Sequence, residues 1–332
     1  MSTIDQNPTA YATARARGGP GMRPASFIDP HTLMRIKSLQ LRAQAVVEGF
    51  HAGLHRSPYH GFSVEFSEYR EYTPGDDPRY LDWRLYARSD RYFIKRFEDE
   101  TNLRCHVLAD MSRSMGFGST EYTKADYAKT AAATLAYFLI AQRDAVGLLT
   151  FDEKITEYLP ARFRPGHLHR LMLALDRPLS GKSTDLTAPL ERIAEIVTKR
   201  GLIVLVSDLL APVETLQTHL GYLRYRGHEV VVLRVLDAAE RDFTFQQPGM
   251  FHDLETGRDV YVDPDATRDE YLRRFAEHSE SVHRICSGLG IDLYEMSIDR
   301  PLELMLFDFL NARQRRGRRI QRRGPGGRGG NL

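Results

Sequence analysis

Residues 202–206 read LIVLV, five apolar positions in a row between Gly201 and Ser207-Asp208. A run this short, closed by a turn residue and a carboxylate, predicts a strand buried on both faces of a parallel sheet. Similar runs recur in LRCHVLAD (103–110), DAVGLLTF (144–151), EVVVLRVLD (229–237) and IDLYEMSI (291–298). Between them the apolar residues return at helical spacing. Helices are predicted at Lys124–Arg143, HLHRLMLAL (167–175), LTAPLERIAEIV (186–197), VETLQTHLGYLRYRG (213–227), Asp269–Leu289 and PLELMLFDFLN (301–311), the last with Pro301 at its start. Strands alternating with helices predict an α/β domain over residues 102–312, built on a doubly wound, mostly parallel sheet.

Before residue 102 the pattern differs. Asp29 and Pro30 open a helical segment (Leu33, Ile36, Leu39, Leu41, Ala45, Val46) that Gly49 is expected to stop. SVEFSEYREYT (63–73) and RYFIKRFEDE (91–100) have strand character and flank a turn-rich, charged connector, PGDDPRYLDWRLYAR. Residues 28–101 thus read as an N-terminal α+β portion. Residues 1–27 and 313–332 carry little to bury and are expected to be disordered.

Charge changes this picture at one end only. The chain has 46 basic and 44 acidic residues, but eight Arg and no acid lie beyond Asn311. A basic Arg/Gly tail therefore follows a mildly acidic body. The tail could attract RNA, anionic lipid or acidic protein; the acidic body argues against nucleic acid as the main partner. Cys105 and Cys286 are too far apart in sequence for a disulfide framework or zinc spacing, which suits a reducing compartment. The N-terminus has no signal-peptide layout, and the longest apolar stretch, near residues 131–141, is far short of the roughly 18 needed to span a bilayer. The expected location is cytoplasmic.

Candidate chemistry lies where the strands end. Asp110 closes the first α/β strand, with Ser112 and Ser114 on the loop behind it. Asp208 closes the LIVLV strand, and Thr184 precedes a helix in SGKSTDLT. In open α/β sheets, ligands sit beyond the carboxyl ends of the strands. Two carboxylates and three hydroxyls at one such edge are hard oxygen donors, suited to Mg²⁺ or Mn²⁺. Asp and Ser also serve as turn and cap residues, so Asp110-x-Ser112-x-Ser114 by itself fits an ordinary strand-to-helix turn.

The set Asp110, Ser112, Ser114, Thr184 and Asp208 resembles the metal-ion-dependent adhesion site of von Willebrand factor A domains. Asp110, Ser112 and Ser114 match the first loop and Asp208 the third. In the second loop Gly-x-Thr is usual; here Lys182-Ser183-Thr184 stands instead, leaving Thr187 as a further candidate. This resemblance implies a Rossmann-like fold and a metal with an open position for an acidic side chain of a partner or client.

A longer stretch, HGFSVEFSEYREYTPGDDPRYLDWRLYARSDRYFIKRFEDET, is similar to the signature of the bacterial family called domain of unknown function 58. EGFHAGLHRSPYHG, TFDEKITEYLP, SDLL and GHEVVVLRVLD fit as well, so the likeness spans roughly residues 28–312. It implies a von Willebrand A-like protein acting as adaptor or chaperone partner of a MoxR-type AAA+ ATPase. No Walker A motif is present, so ATP hydrolysis would belong to that partner.

No catalytic constellation accompanies these residues. Ser112 lacks the Gly-x-Ser-x-Gly elbow of a hydrolase. His51 and His55 lack the Glu of a zinc protease motif. A metal-dependent phosphatase of the haloacid-dehalogenase type would need a second Asp where Ser112 stands. Hydrolase and tail-mediated nucleic-acid binder are the two rival readings. The charged GDDPRYLDW stretch fits an ion-paired structural turn or a docking surface.

Overall fold

The computed structural model describes residues 27–56, 69–71, 93–95, 103–179, 187–252 and 257–310. Two helices lead, α1 (Pro30–Met34) and α2 (Leu39–Arg56), followed by a small antiparallel pair, β1 (Tyr69–Glu71) with β2 (Phe93–Lys95). Next come β3 (Arg104–Asp110), a 3-10 turn (Arg113–Gly116), α3 (Lys124–Ala141), β4 (Ala145–Phe151), β5 (Ile155–Arg162) and α4 (His167–Leu175). The chain continues through α5 (Thr187–Ile196), β6 (Leu202–Ser207), α6 (Val213–Tyr225), β7 (Glu229–Leu236) and α7 (Ala238–Asp242). It closes with the hairpin β8 (Gly249–His252) and β9 (Asp259–Val262), then α8 (Pro264–Leu289), β10 (Asp292–Ser297) and a helix over residues 303–310, here α9.

The central sheet has the order β10-β7-β6-β3-β4-β5. All its pairings are parallel except β4 with β5. Successive strand residues point to opposite faces, and that period of two divides the core. Cys105, Val107 and Ala109 of β3, with Leu202, Val204 and Val206 of β6, face α2, α3, α4 and α9. Leu108, Ile203, Leu205, Val230 and Val232 face α5, α6 and α8. The result is a three-layer, doubly wound α/β fold with a mostly parallel sheet. The unbroken apolar run of β6 is explained by this burial on both sides. In α3, Ala125, Ala128, Ala131, Ala132, Ala133 and Ala136 are all buried. Their small size lets that helix lie between the sheet and α2, so it is apolar nearly all round.

The N-terminal helices depart from the sequence expectation. One helix ending at Gly49 was expected; the structure has two. Asp29 caps α1 by accepting from the Thr32 amide at 3.0 Å, the chain leaves helical geometry at residues 36–38, and α2 runs through Gly49 to Arg56. Gly49 serves close packing instead of termination: a Cβ there would stand 3.0 Å from Oε1 of Glu303 in α9. Leu33, Leu39, Ala43, Val46, Val47 and Phe50 join the same core as α3.

Three other differences are local. Helix α8 begins at Pro264, five residues before the expected Asp269, because Asp263 caps it and Pro264 suits its first turn. Helix α9 starts just after Pro301, whose carbonyl accepts from the Leu304 amide. Strand β5, helix α7 and the hairpin β8–β9 were not anticipated. The GDDPRYLDW stretch, both chain ends and the expected boundary at residues 101–102 lie outside the described residues. Among the described residues no helix is long and apolar enough to cross a membrane.

Candidate metal centre

Four neighbouring strands of the sheet run into an aspartate at their carboxyl ends. In sheet order these are Asp152 after β4, Asp110 on β3, Asp208 after β6 and Asp237 after β7. All four are buried. Ala109 pairs with Val206, so the next residues in register, Asp110 and Ser207, face each other across the β3–β6 boundary. The Ser207 hydroxyl donates to Asp110 Oδ2 at 2.6 Å and accepts from the Leu209 amide at 3.1 Å.

The loop after Asp110 alternates its roles. Met111 and Met115 point into the core and anchor it. Between them, the Ser112 amide donates to Asp110 Oδ1 at 2.9 Å, and the Ser112 and Ser114 hydroxyl oxygens lie 3.1 Å apart. Gly118 permits the return to α3: a Cβ there would meet the Tyr122 carbonyl oxygen at 2.4 Å. The loop is strapped to the end of β7, where both the amide and the hydroxyl of Ser119 donate to Asp237 at 2.7 Å.

Among the described residues Asp110 has no cationic hydrogen-bond partner. Burial, and next the charge of Asp208, push its carboxyl up to about 6, against the donors Ser112 and Ser207. Asp208 is served differently. Lys124, the first residue of α3, is fully buried and places Nζ 2.9 Å from Asp208 Oδ2 and 2.7 Å from Glu240 Oε1. Burial alone would lower this ammonium; the two carboxylates outweigh it and hold the group above its ordinary value. Glu240 is fixed in turn by the capping box of α7, its Oε2 accepting from the Asp237 amide at 3.3 Å. Behind the site, the buried Arg234 donates from Nε to the Asp208 carbonyl at 3.1 Å and from a terminal nitrogen to Glu295 at 3.0 Å. His278 holds the Leu209 carbonyl at 2.9 Å, across a residue with φ of 54°.

Of the five ligand candidates, the structure gathers Asp110, Ser112 and Ser114 on one loop, with Asp208 on the neighbouring strand end. Thr184 lies outside the described residues. Thr187 begins α5. Lys124, Glu240, Ser119, Ser207 and Asp237 were missed by sequence reasoning. One signal was available for Lys124. A cation at the first helical position opposes the helix dipole, and a local rule broken in that way often marks a site.

The donor set fits a hard divalent cation. Adjacent ligands of an octahedral Mg²⁺ at 2.0–2.1 Å stand about 3 Å apart, close to the 3.1 Å between the two serine hydroxyls. The Lys124 ammonium is shared by Asp208 and Glu240, while buried Asp110 is held by hydroxyl and amide donors beside Asp208, so the cluster has negative charge to spare for a cation.

Fold and site together define a doubly wound α/β domain with an Asp-x-Ser-x-Ser loop at the carboxyl edge of its sheet. The chain belongs to the family described as "Protein of unknown function DUF58", whose profile matches residues 68–281. It is 28% identical over 301 residues to Rv1480 of Mycobacterium tuberculosis and to Mb1516 of Mycobacterium bovis, covering 89% of this chain and 94% of each relative. Among solved structures it is similar to an aerotolerance-related membrane protein of Bacteroides fragilis (15% identity, TM-score 0.42, 64% of this chain and 99% of that one). BatB of Bacteroides thetaiotaomicron (12%, 0.41, 64% and 99%) and the SpRpn10 VWA domain (13%, 0.38, 61% and 93%) are also similar.

Proposed function

We propose that this chain is a metal-dependent protein-interaction module that works with a MoxR-type AAA+ ATPase in maturing or remodelling client proteins. The observation that carries the metal part is the convergence of Asp110 with the Ser112 and Ser114 hydroxyls at one sheet edge, beside Asp208. Asp110, Ser112, Ser114, Asp208 and Thr184 would hold Mg²⁺ or Mn²⁺. Bound there, the ion would offer a carboxylate of the partner or client an electrophilic position, since neutral hydroxyls leave much of its charge uncompensated. The chain's own part is positional. Ser207 and the Ser112 amide aim Asp110, the Ser119–Asp237 strap fixes the loop, and Arg234 with His278 fixes the Asp208 turn. No nucleophile–base pair stands among these groups, which favours binding over hydrolysis. The ATPase partnership rests on family resemblance.

The test is capture of the purified ATPase by the full chain in Mg²⁺ and in EDTA, with wild type, Asp110→Ala and Ser112→Ala. Capture in Mg²⁺ that is lost in EDTA and in both variants is expected. Equal capture throughout would refute the metal bridge, and no capture under any condition would refute the partnership. Mn²⁺ calorimetry on the same proteins reads the site without the partner.

A further inference from the structure

Lys124 departs from what a plain metal site needs. Its ammonium bonds the very carboxylate expected to serve the ion, at 2.9 Å, with both side chains fully buried. It is not held there alone. Glu240 takes a second ammonium hydrogen at 2.7 Å, and Glu240 is itself anchored to the Asp237 amide. Asp110, by contrast, is left to hydroxyl and amide donors. The cluster therefore contains one tethered cation, seated at one of its two strand-end carboxylates and shared with a third.

We infer that Lys124 is a resident counter-cation that competes with a divalent ion for Asp208, so that the lysine sets how tightly the site takes metal. This rests on the reading of Asp110, Ser112, Ser114 and Asp208 as a metal centre. The physical argument is direct. A dication near Asp208 meets repulsion from an ammonium in contact with that carboxylate, at distances where water cannot screen it. Each charge also satisfies the same carboxylate, so binding one weakens the hold of the other. Glu240 lowers the cost of the exchange, because it keeps the ammonium paired when Asp208 turns to metal. Its charge also makes it the element that decides how firmly Lys124 rests on Asp208.

The experiment measures Mn²⁺ affinity of the full chain by calorimetry, and by electron paramagnetic resonance of free Mn²⁺, for wild type, K124M, E240Q and the double variant K124M/E240Q. K124M is expected to bind at least about tenfold more tightly than wild type. The double variant, whose net charge equals that of wild type, should still bind more tightly, because the competitor is gone from Asp208. E240Q should bind severalfold more weakly, since Lys124 then has Asp208 as its main partner. Equal or weaker binding in K124M, or a gain that vanishes in the double variant, would overturn the inference while the metal reading stands on the wild-type titration. Binding in K124M with none in wild type would support it in its strongest form, the lysine standing in for the ion. No binding in any folded variant would overturn both. Should K124M fail to fold, E240Q and the double variant decide, and an E240Q affinity equal to or above wild type rejects the competition.

Discussion

Asp110 and Asp208 occupy nearly equivalent places, at the ends of adjacent parallel strands, each almost wholly out of water. One is surrounded by dipoles, the other by a full charge. Asp110 receives an amide and a hydroxyl; Asp208 receives an ammonium and the Leu210 amide at 3.2 Å. A buried carboxylate without a counter-charge is costly, and a chain keeps one only where something else compensates it. The asymmetry marks the Asp110 corner as the place where the proposed cation would compensate charge, and the Asp208 corner as the one where a lysine already does.

Four measurements probe that asymmetry. The largest effect is expected from Lys124→Met in metal-free buffer. Removing one partner of a buried ion cluster typically costs about 3–5 kcal/mol, a fall in melting temperature on the order of 10 °C. Added Mn²⁺ should recover part of it by ligand linkage. An unchanged melting temperature would mean that Lys124 does not compensate Asp208.

The opposite end of β3 supplies a control. His106 is buried there, and burial, followed by the neighbouring His228 and Arg104, lowers its pKa to about 4 from 6.5. Between those two values the unfolded chain binds the proton and the folded chain does not. Stability therefore declines as pH falls from about 6.5 to 4, by roughly 3 kcal/mol from this group. His106→Asn should remove that share of the acid limb in a urea titration series. A limb of unchanged depth would refute the assignment.

Next comes the strap. Ser119→Ala removes one of the two hydrogen bonds that Ser119 gives the Asp237 carboxylate, and bonds to charged groups are worth about 1.5–3 kcal/mol. Both a stability loss of that size and weaker Mn²⁺ binding are expected, because the loop carrying Ser112 and Ser114 loses an anchor. The smallest effect is expected from Asp110→Asn. Without metal its stability should lie within about 1 kcal/mol of wild type, since like-charge repulsion with Asp208 disappears while the amide oxygen can still accept from Ser112. The rise in melting temperature on adding Mn²⁺ should vanish. A large metal-free loss would show that Asp110 is a structural ion instead.

Much of this was legible in the sequence, for identifiable reasons. Apolar runs such as 202–206 have no place except between two helical layers, so they fix both strand and fold class. Asp110 and Asp208 close such runs, so their edge of the sheet follows from topology alone. Lys124 and Glu240 were not legible, because their meeting joins residues 116 apart through a short helix after β7. The break between α1 and α2 was hidden because the apolar spacing continues across residues 36–38. Gly49 misled because glycine both ends helices and admits a close neighbour, and here Glu303 is that neighbour. Strand β5 escaped because it is an edge strand with mixed exposure, without the alternation of a half-buried strand.

The bond from the Ile28 amide to Glu303 Oε1, at 2.9 Å, has a consequence for how the chain could be rewired. Phe27 also packs edge-on against Phe307, with ring centroids 6.0 Å apart. Residues 27–28 and the α9 residues Glu303 and Phe307 are therefore neighbours on one side of the sheet. A short linker could join these segments and a new opening be cut at the β8–β9 hairpin, since neighbouring ends commonly tolerate circular permutation. In such a protein Lys124 and Asp208 would keep their sequence order while every strand of the sheet kept its neighbours.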